Sequence, residues 1–162
     1  MKPQHRIALV VVTLAACVGC DQQTKSLADD YLRGRESVSF LADTIRLDYS
    51  ENPGAFLSLG ASLPEKSRTA AFTVGVGAGS AAILLFALLS SESGFLQVLG
   101  LSLVCGGGLG NLVDRLIHRG YVRDFLNLGL GPVRTGIFNI ADVALMAGCL
   151  LLLTHEVRRR VN

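Results

Sequence analysis

Three long apolar segments constrain the fold of this chain more than any other feature of its sequence. They cover residues 69–90, 95–113 and 136–154, and each is 19 to 22 residues long. At a rise of about 1.5 Å per residue, a helix of that length crosses the roughly 30 Å of hydrocarbon in a bilayer. The sequence therefore predicts at least three transmembrane helices.

A fourth apolar segment, residues 7–20, is shorter and admits two interpretations. Basic residues precede it, and the sequence LAAC at residues 14–17 is typical of a lipoprotein signal peptide that is cut before Cys17. However, residues 21–32 contain neither glycine nor proline, so nothing ends a helix there. Since a cleaved lipoprotein does not need three further spans, we predict that this segment is a first span over about residues 7–25.

The composition excludes several classes of protein. Of the 162 residues, half are hydrophobic and only 17% are charged, whereas about a quarter are charged in a typical soluble domain. The net charge of +2 and a longest basic run of three arginines argue against a nucleic-acid partner. The cysteines lie in apolar segments, which predicts small buried residues rather than disulfides or zinc ligands. They are Cys17, Cys20, Cys105 and Cys149.

We therefore predict one mainly α-helical, membrane-embedded domain over residues 1–162. It is a polytopic four-transmembrane-helix bundle, with a small extracytoplasmic β-hairpin or sheet region at about residues 36–58, between helices 1 and 2. TIRLDY, residues 44–49, alternates like a half-buried strand, and SVSF before it is a candidate partner. The glycines and Pro132 between spans three and four predict no long regular element there.

Glycine pairs and terminal charges add two further expectations. Gly75 and Gly79, and likewise Gly106 and Gly110, have the spacing that lets helix backbones approach closely in lipid. Four spans place both termini on one side of the membrane. We favour the cytoplasm, because the termini are rich in Lys and Arg and nearly free of acidic residues.

Two aspartates are the strongest candidates for chemistry. Asp142 falls one or two turns into the fourth span, with Asn139 on the same helical face, and a charge inside a span is costly unless it is functional. Asp124 lies among apolar residues in the preceding loop, as in a segment that dips back toward the bilayer. Two neighbouring carboxyls share a proton, so one can accept a proton from water while the other donates to a peptide carbonyl. This aspartic-protease chemistry needs no metal or cofactor.

Other polar residues are predicted to lie at the same membrane face as the two aspartates, because the chain crosses the membrane an even number of times between these motifs. Asn111, Asp114 and Arg115 share one face at the end of the third span, where Asp114 is a candidate to hold Arg115 in place. Asp21 and Lys25 are four residues apart, a spacing that in isolation favours a solvated ion pair. Asn52 and Gly54 lie in a predicted turn.

These residues occur in motifs that resemble the lipoprotein signal peptidase (signal peptidase II) family over residues 21–145. DQQTK, NPGA, GGGLGNLVDR, VRDF and FNIAD follow the order of the family's conserved blocks. The resemblance implies that Asp124 and Asp142 are a catalytic dyad. It also implies a set of residues that line or support the site, namely Asn52, Gly54, Asn111, Arg115, Asn139, Asp21, Lys25 and Asp114.

The resemblance further implies a substrate and a location. Substrates are diacylglyceryl-modified prolipoproteins, cut on the amino side of the modified cysteine, and the other partners are membrane lipids. The enzyme is expected to be a monomer in the bacterial inner membrane, with its site near the extracytoplasmic face. A scissile bond near the membrane surface also calls for a polar lid, and the strand-like residues 37–49 are the candidate to lie along the extended substrate. The chain departs from the family pattern at Arg123 and Val143, which replace an apolar residue and a serine, and at residues 56–57.

Two other functions remain open on the residues alone. A small ion or proton transporter subunit would use Asp142, Arg115 and Asp124 as a charge path, although no internal repeat is visible between the two halves of the chain. An inactive homologue would keep the motifs without the activity.

Overall fold

The structure is a computed structural model that describes residues 1–54, 62–90 and 93–161. Its helical elements are α1 (Pro3–Leu32), α2 (Glu65–Thr69), a π-helical turn (Ala70–Gly75), α3 (Val76–Leu89), α4 (Phe95–Ile117) and α5 (Ile140–Val161). Its strands are β1 (Val38–Phe40), β2 (Ile45–Asn52), β3 (Val122–Leu130) and β4 (Val133–Arg134).

Within the described residues, four helical segments are long and apolar enough to cross a membrane. They are residues 3–32, 66–89, 95–117 and 140–161, which confirms the predicted four-span bundle. The first runs through Cys17 and Cys20 without a break, as expected from a sequence with no helix breaker. The fourth begins at Ile140 rather than at residue 136, so the prediction was wrong there, and the residues before Ile140 belong to the loop.

The bundle has an apolar outer surface, as a protein embedded in lipid requires. Leu85 and Leu89 on α3, and Leu150 and Leu153 on α5, are all exposed. Most of the buried charged residues, among them Asp21, Lys25 and Asp114, lie by contrast at one end of the bundle, whereas Arg6 is buried near the start of α1 at the other end. Because lipid cannot hydrogen-bond to polar groups, the helices turn their polar side chains toward one another.

A four-stranded antiparallel sheet, in the order β1-β2-β3-β4, covers that end of the bundle. The predicted hairpin of β1 and β2 is confirmed. The glycine-rich connection between spans three and four was wrongly predicted to lack a long element, because it contains the nine-residue β3. Gly131, with a φ of 56°, lies in the turn between β3 and β4, where a left-handed residue is required.

The glycines of α4 allow close helix packing, whereas those of the second span do not. A Cβ on Gly106 would lie 2.6 Å from the Cβ of Cys17, and one on Gly110 would lie 2.8 Å from an Asp21 oxygen. The prediction is thus confirmed for this pair. At Gly79 a Cβ would meet nothing within 4 Å, so close approach is not the reason for that glycine.

The cysteines correct another prediction. Cys105 is buried and Cys17 half-buried, but Cys20 and Cys149 are exposed on the helix surface. All four are free thiols. The prediction of burial failed for Cys20 and Cys149 because an apolar side chain in a membrane span is as well accommodated facing lipid as facing protein.

Candidate active site

The predicted site residues come together where the second half of α1, the end of α4, the start of α5 and the sheet meet. Each makes a hydrogen bond or ion pair to another member of the set. Those members are Asp21, Lys25, Asn52, Gly54, Asn111, Asp114, Arg115, Asp124, Asn139 and Asp142. The prediction that they share one membrane face is therefore consistent with their packing.

Asp142 lies in the first turn of α5, not one or two turns into a span. Asn139, which precedes the helix, accepts a hydrogen bond from the Asp142 backbone N–H (3.0 Å), and the Asp142 carboxylate accepts one from the Asn139 N–H (3.2 Å). This reciprocal pair is a capping box with an aspartate in place of the usual glutamate. The positive end of the helix dipole offsets part of the cost of burying the carboxylate.

Asp124 lies on β3 rather than in a loop that dips toward the bilayer, and only 2% of it is exposed. One carboxylate oxygen accepts a hydrogen bond from the Asn52 amide nitrogen (2.9 Å) and the other from that of Asn139 (2.6 Å). Burial raises the pKa of Asp124 to about 6, and the nearby charge of Asp142 adds to the effect. The two amide donors oppose this rise because they stabilise the charged form.

Two asparagines connect the carboxyl groups. Asn139 donates both to Asp124 and to the side-chain oxygen of Asn111 (3.0 Å), and Asn111 donates to Asp142 (2.9 Å). Lys25 also donates to that Asn111 oxygen (3.0 Å). Because its oxygen faces two donors, the Asn111 amide can only direct its nitrogen at Asp142.

Beside the dyad lies a buried cluster of four charged residues, Asp21, Lys25, Asp114 and Arg123. The Lys25 ammonium is 2.8 Å from Asp21 and 3.4 Å from Asp114, and all three side chains have no exposed surface. The spacing of Asp21 and Lys25 in isolation favours a solvated ion pair, and that prediction is therefore wrong. Two carboxylates balance two cations here, as buried charges require.

Asp21 has a second role at the start of α5. Its carboxylate accepts a hydrogen bond from the Ala141 backbone N–H (2.9 Å), which is among the unpaired donors of that helix N-terminus. One residue thus ties α1 both to Lys25 and to the helix that carries Asp142. This contact fixes the position of Asp142 along the bundle axis relative to α1.

The sequence suggested that Asp114 holds Arg115 in place, and this prediction was wrong, because Asp114 pairs with Lys25 and Arg123 instead. The Arg115 guanidinium donates to the backbone carbonyl of Gly54 (2.7 Å) and lies over the ring of Phe72, 5.5 Å from its centroid. Gly54 in turn donates its N–H to the side chain of Asn52 (2.8 Å). Arg115 thereby anchors the turn that presents Asn52 to Asp124.

Sequence reasoning missed Arg123 and Gln22. Arg123 binds Asp114 through its backbone N–H (2.8 Å) and its guanidinium (2.9 Å). Gln22 donates to Asp114 and to Asp21, both at 3.1 Å. Arg123 precedes Asp124 in the sequence, and a charge in a membrane-proximal apolar stretch was the signal that could have identified it.

A cavity of about 190 Å³ opens beside Asp142, between α3, α4 and α5. Its walls are mostly apolar, and its polar lining comes from the site itself. The lining residues are Phe72, Val76, Gly108, Asn111, Arg115, Asp142 and Leu145. A mostly apolar cleft with a few convergent polar groups is typical of a site that binds an organic substrate.

The arrangement can therefore perform acid–base chemistry. It has two buried carboxyls, linked by amides, beside an apolar cavity, and one carboxyl has a pKa near 6. Within the described part of the chain, no group of three or more His, Cys, Asp or Glu residues is placed to hold a metal ion. Among the described residues that line the cavity beside Asp142, none is a serine, threonine or cysteine.

Comparisons of the whole chain with known proteins bear on its family and its fold. The family model described as signal peptidase (SPase) II matches residues 13–158. A lipoprotein signal peptidase of Syntrophus aciditrophicus is 31% identical over 154 residues, covering 95% of both chains. One of Streptococcus pneumoniae is 31% identical over 162 residues, covering 100% of this chain and 99% of its own. The fold is also that of a solved bacterial membrane enzyme with 24% identity and a TM-score of 0.82, over 94% of this chain and 89% of that one.

Proposed function

This chain belongs to the signal peptidase II family of aspartic peptidases, and we propose that Asp124 and Asp142 are the two residues that perform its catalysis. The observation that carries the proposal is the pair of buried carboxyls joined through Asn139 and Asn111. Both are directed to one region by buried amide donors. Two neighbouring carboxyls can hold a single proton between them, which is the state that aspartic peptidases use.

The proposed reaction is hydrolysis of one peptide bond by an activated water. The ionised carboxyl of the pair removes a proton from water, whose oxygen attacks the peptide carbonyl carbon. The protonated carboxyl donates its proton to the carbonyl oxygen, which gives a neutral tetrahedral diol. When the C–N bond breaks, the protonated carboxyl gives its proton to the leaving nitrogen, and a hydroxyl of the diol gives its proton to the other carboxyl. The pair is then singly protonated again.

The surrounding residues prepare this chemistry without taking part in bond changes. Asn52 and Asn139 hold the Asp124 carboxylate through its two oxygens, and Asn111 holds Asp142. Arg115 fixes Asn52 through the Gly54 turn, and Lys25 fixes Asn111 directly. Because the amides are held in this way, the carboxyls need little reorganisation during the reaction. We assign Asp21 and Asp114 to the buried charge cluster that supports them.

We propose that the substrate is a prolipoprotein that carries a diacylglyceryl group on its cysteine, cut on the amino side of that cysteine. The cavity beside Asp142 lies between membrane-spanning helices, where a signal peptide and an acyl chain arrive from the bilayer. The sheet above it offers backbone hydrogen bonds to an extended peptide. We expect a monomer in the inner membrane, with cytoplasmic termini and with the sheet and site on the extracytoplasmic side.

Cleavage of a purified diacylglyceryl-modified prolipoprotein in detergent tests the proposal. Wild type should shift the substrate on a gel, and both Asp124→Asn and Asp142→Asn should abolish the shift while leaving the protein folded. Asp30→Asn is the matched control, because Asp30 is exposed on α1. Cleavage that survives both dyad substitutions refutes the assignment. A well-folded wild type that does not cut a substrate accepted by another signal peptidase II is an inactive homologue.

A further inference from the structure

We propose that Arg123 is a positioning residue for the dyad. Its guanidinium neutralises Asp114 and thereby leaves Lys25 free to fix the amide of Asn111. The inference rests on the proposed function, because it concerns how the catalytic carboxyls are held. It assigns a role to the charge that neighbours Asp124 on β3.

The contacts of Arg123 are those of a built ion pair. Its backbone N–H donates to one oxygen of Asp114 at 2.8 Å, and its guanidinium donates to the other at 2.9 Å. A further guanidinium contact reaches the Gln22 side-chain oxygen at 3.3 Å. Arg123 is only 8% exposed, so solvent screens this pair weakly. The charge therefore acts at nearly full strength on its neighbours.

The distances around Lys25 show how the cluster divides its charges. The three ammonium protons face Asp21 at 2.8 Å, Asn111 at 3.0 Å and Asp114 at 3.4 Å. Asp114 is the most distant of the three acceptors although it is a full carboxylate, and it is the one that Arg123 also binds. Since Asp114 is already neutralised, Lys25 remains close to the neutral amide of Asn111.

Loss of the Arg123 charge should propagate to the dyad in two ways. The cluster changes from two carboxylates and two cations to a net charge of −1. Lys25 then moves toward Asp114 and away from the Asn111 oxygen, so the Asn111 amide loses one of the two donors that orient its nitrogen toward Asp142. Both effects make the second ionisation of the dyad harder, because both remove stabilisation from its charged form.

Other titratable and charged groups face the dyad or Arg123 and must stay unchanged in the test. Those that face the dyad are Asp21 and Lys25 on α1 and Arg115 on α4. Those that face Arg123 are Asp29 on α1, Tyr49 on β2 and Asp114 on α4. Glu51 is directly opposite Arg123 in the sheet, but its carboxylate binds Arg33 instead. Asp114 is therefore the carboxylate to which Arg123 is bonded.

The experiment measures kcat and KM against pH for Arg123→Met, Arg123→Gln and Arg123→Lys in purified full-length protein. With Met and Gln, the alkaline limb of the pH profile should move up by about half to one pH unit. In both, kcat should fall about tenfold, with KM within about threefold of wild type, since the chemical groups are misplaced but the substrate cavity is not. Lys, which keeps the charge, should restore the limb to its wild-type position.

Arg160→Met is the control, because Arg160 also pairs with a carboxylate, that of Glu156 at 2.7 Å, near the end of α5 that lies away from the dyad. It should leave the limb in place. If Met and Gln lower only the melting temperature, with the limb unmoved, Arg123 is a structural anchor of β3 and the inference is wrong. If Met does not fold, Gln, which keeps part of the hydrogen bonding, decides the question. Wild type without activity would instead refute the proposed function.

Discussion

The bond between Asn52 and Asp124 allows a quantitative test of how the site sets the charge of its dyad. The Asn52 amide donates to the Asp124 carboxylate at 2.9 Å, in a position where Asn52 is only 5% exposed. This donor stabilises the ionised form, and it opposes the burial that raises the pKa of Asp124 to about 6. The substitution Asn52→Ala removes it without adding bulk or charge.

The magnitude follows from the two protonation states. A hydrogen bond to a charged group contributes roughly 1.5–3 kcal/mol, and one to a neutral group roughly 0.5–1.5 kcal/mol. The ionised form of Asp124 therefore loses about 1–1.5 kcal/mol more than the protonated form. At 1.36 kcal/mol per pKa unit, the pKa of Asp124 rises by about one unit, to roughly 7.

The assay is kcat/KM for prolipoprotein cleavage from about pH 5 to about pH 9, where the alkaline limb reports loss of the dyad's shared proton. Since Asp124 holds a proton more tightly in the variant, the limb should move to higher pH by about one unit. Asn127→Ala is the control, because Asn127 is a buried amide on β3 that bonds to Thr135 rather than to Asp124. A limb that stays in place or moves to lower pH refutes the reasoning.

Three further predictions concern packing and processing. Lys25→Met leaves a buried carboxylate without its cation and should lower the free energy of unfolding by about 3–5 kcal/mol, measured by thermal denaturation in detergent; an unchanged melting temperature would contradict the burial of the pair. Gly110→Ala places a methyl group 2.8 Å from the Asp21 carboxylate and should destabilise the protein by about 1–3 kcal/mol. Gly79→Ala, where the added Cβ meets nothing within 4 Å, is its control and should be neutral or slightly stabilising. Intact-mass spectrometry should find Cys17 unprocessed, because it lies within a continuous helix, and a mature protein that begins at Cys17 would overturn that expectation.

Features that depend on local sequence were predictable. Segment length and hydropathy indicate a membrane-spanning helix, because the cost of exposing a peptide backbone to lipid is the same in any fold. The alternation in residues 44–49 correctly predicted β2. The order of the motifs, with an even number of crossings between them, was enough to place Asp21, Asn111 and Asp142 at one end of the bundle.

The position of Asp124 shows where local reasoning fails. β3 contains Gly129 near its end and is followed by Gly131 and Pro132, and these residues locally favour a loop. It becomes a strand because β2, about 70 residues earlier in the chain, presents an edge on which Ser50 lies opposite Asp124. A strand is completed by its partner's hydrogen bonds, so its sequence alone does not specify it.

The ionic contacts were likewise decided by tertiary structure. A spacing of four residues between Asp21 and Lys25 describes a surface pair and a buried pair equally well, and only packing of α4 and α5 against α1 excludes water from it. Arg123 had no sequence-based partner until β3 approached the end of α4 and brought it to Asp114. The sequence thus determined which segments cross the membrane and which residues could do chemistry. Tertiary structure determined which charges are paired, because the strength of an ion pair depends on distance and burial, and neither is a property of local sequence.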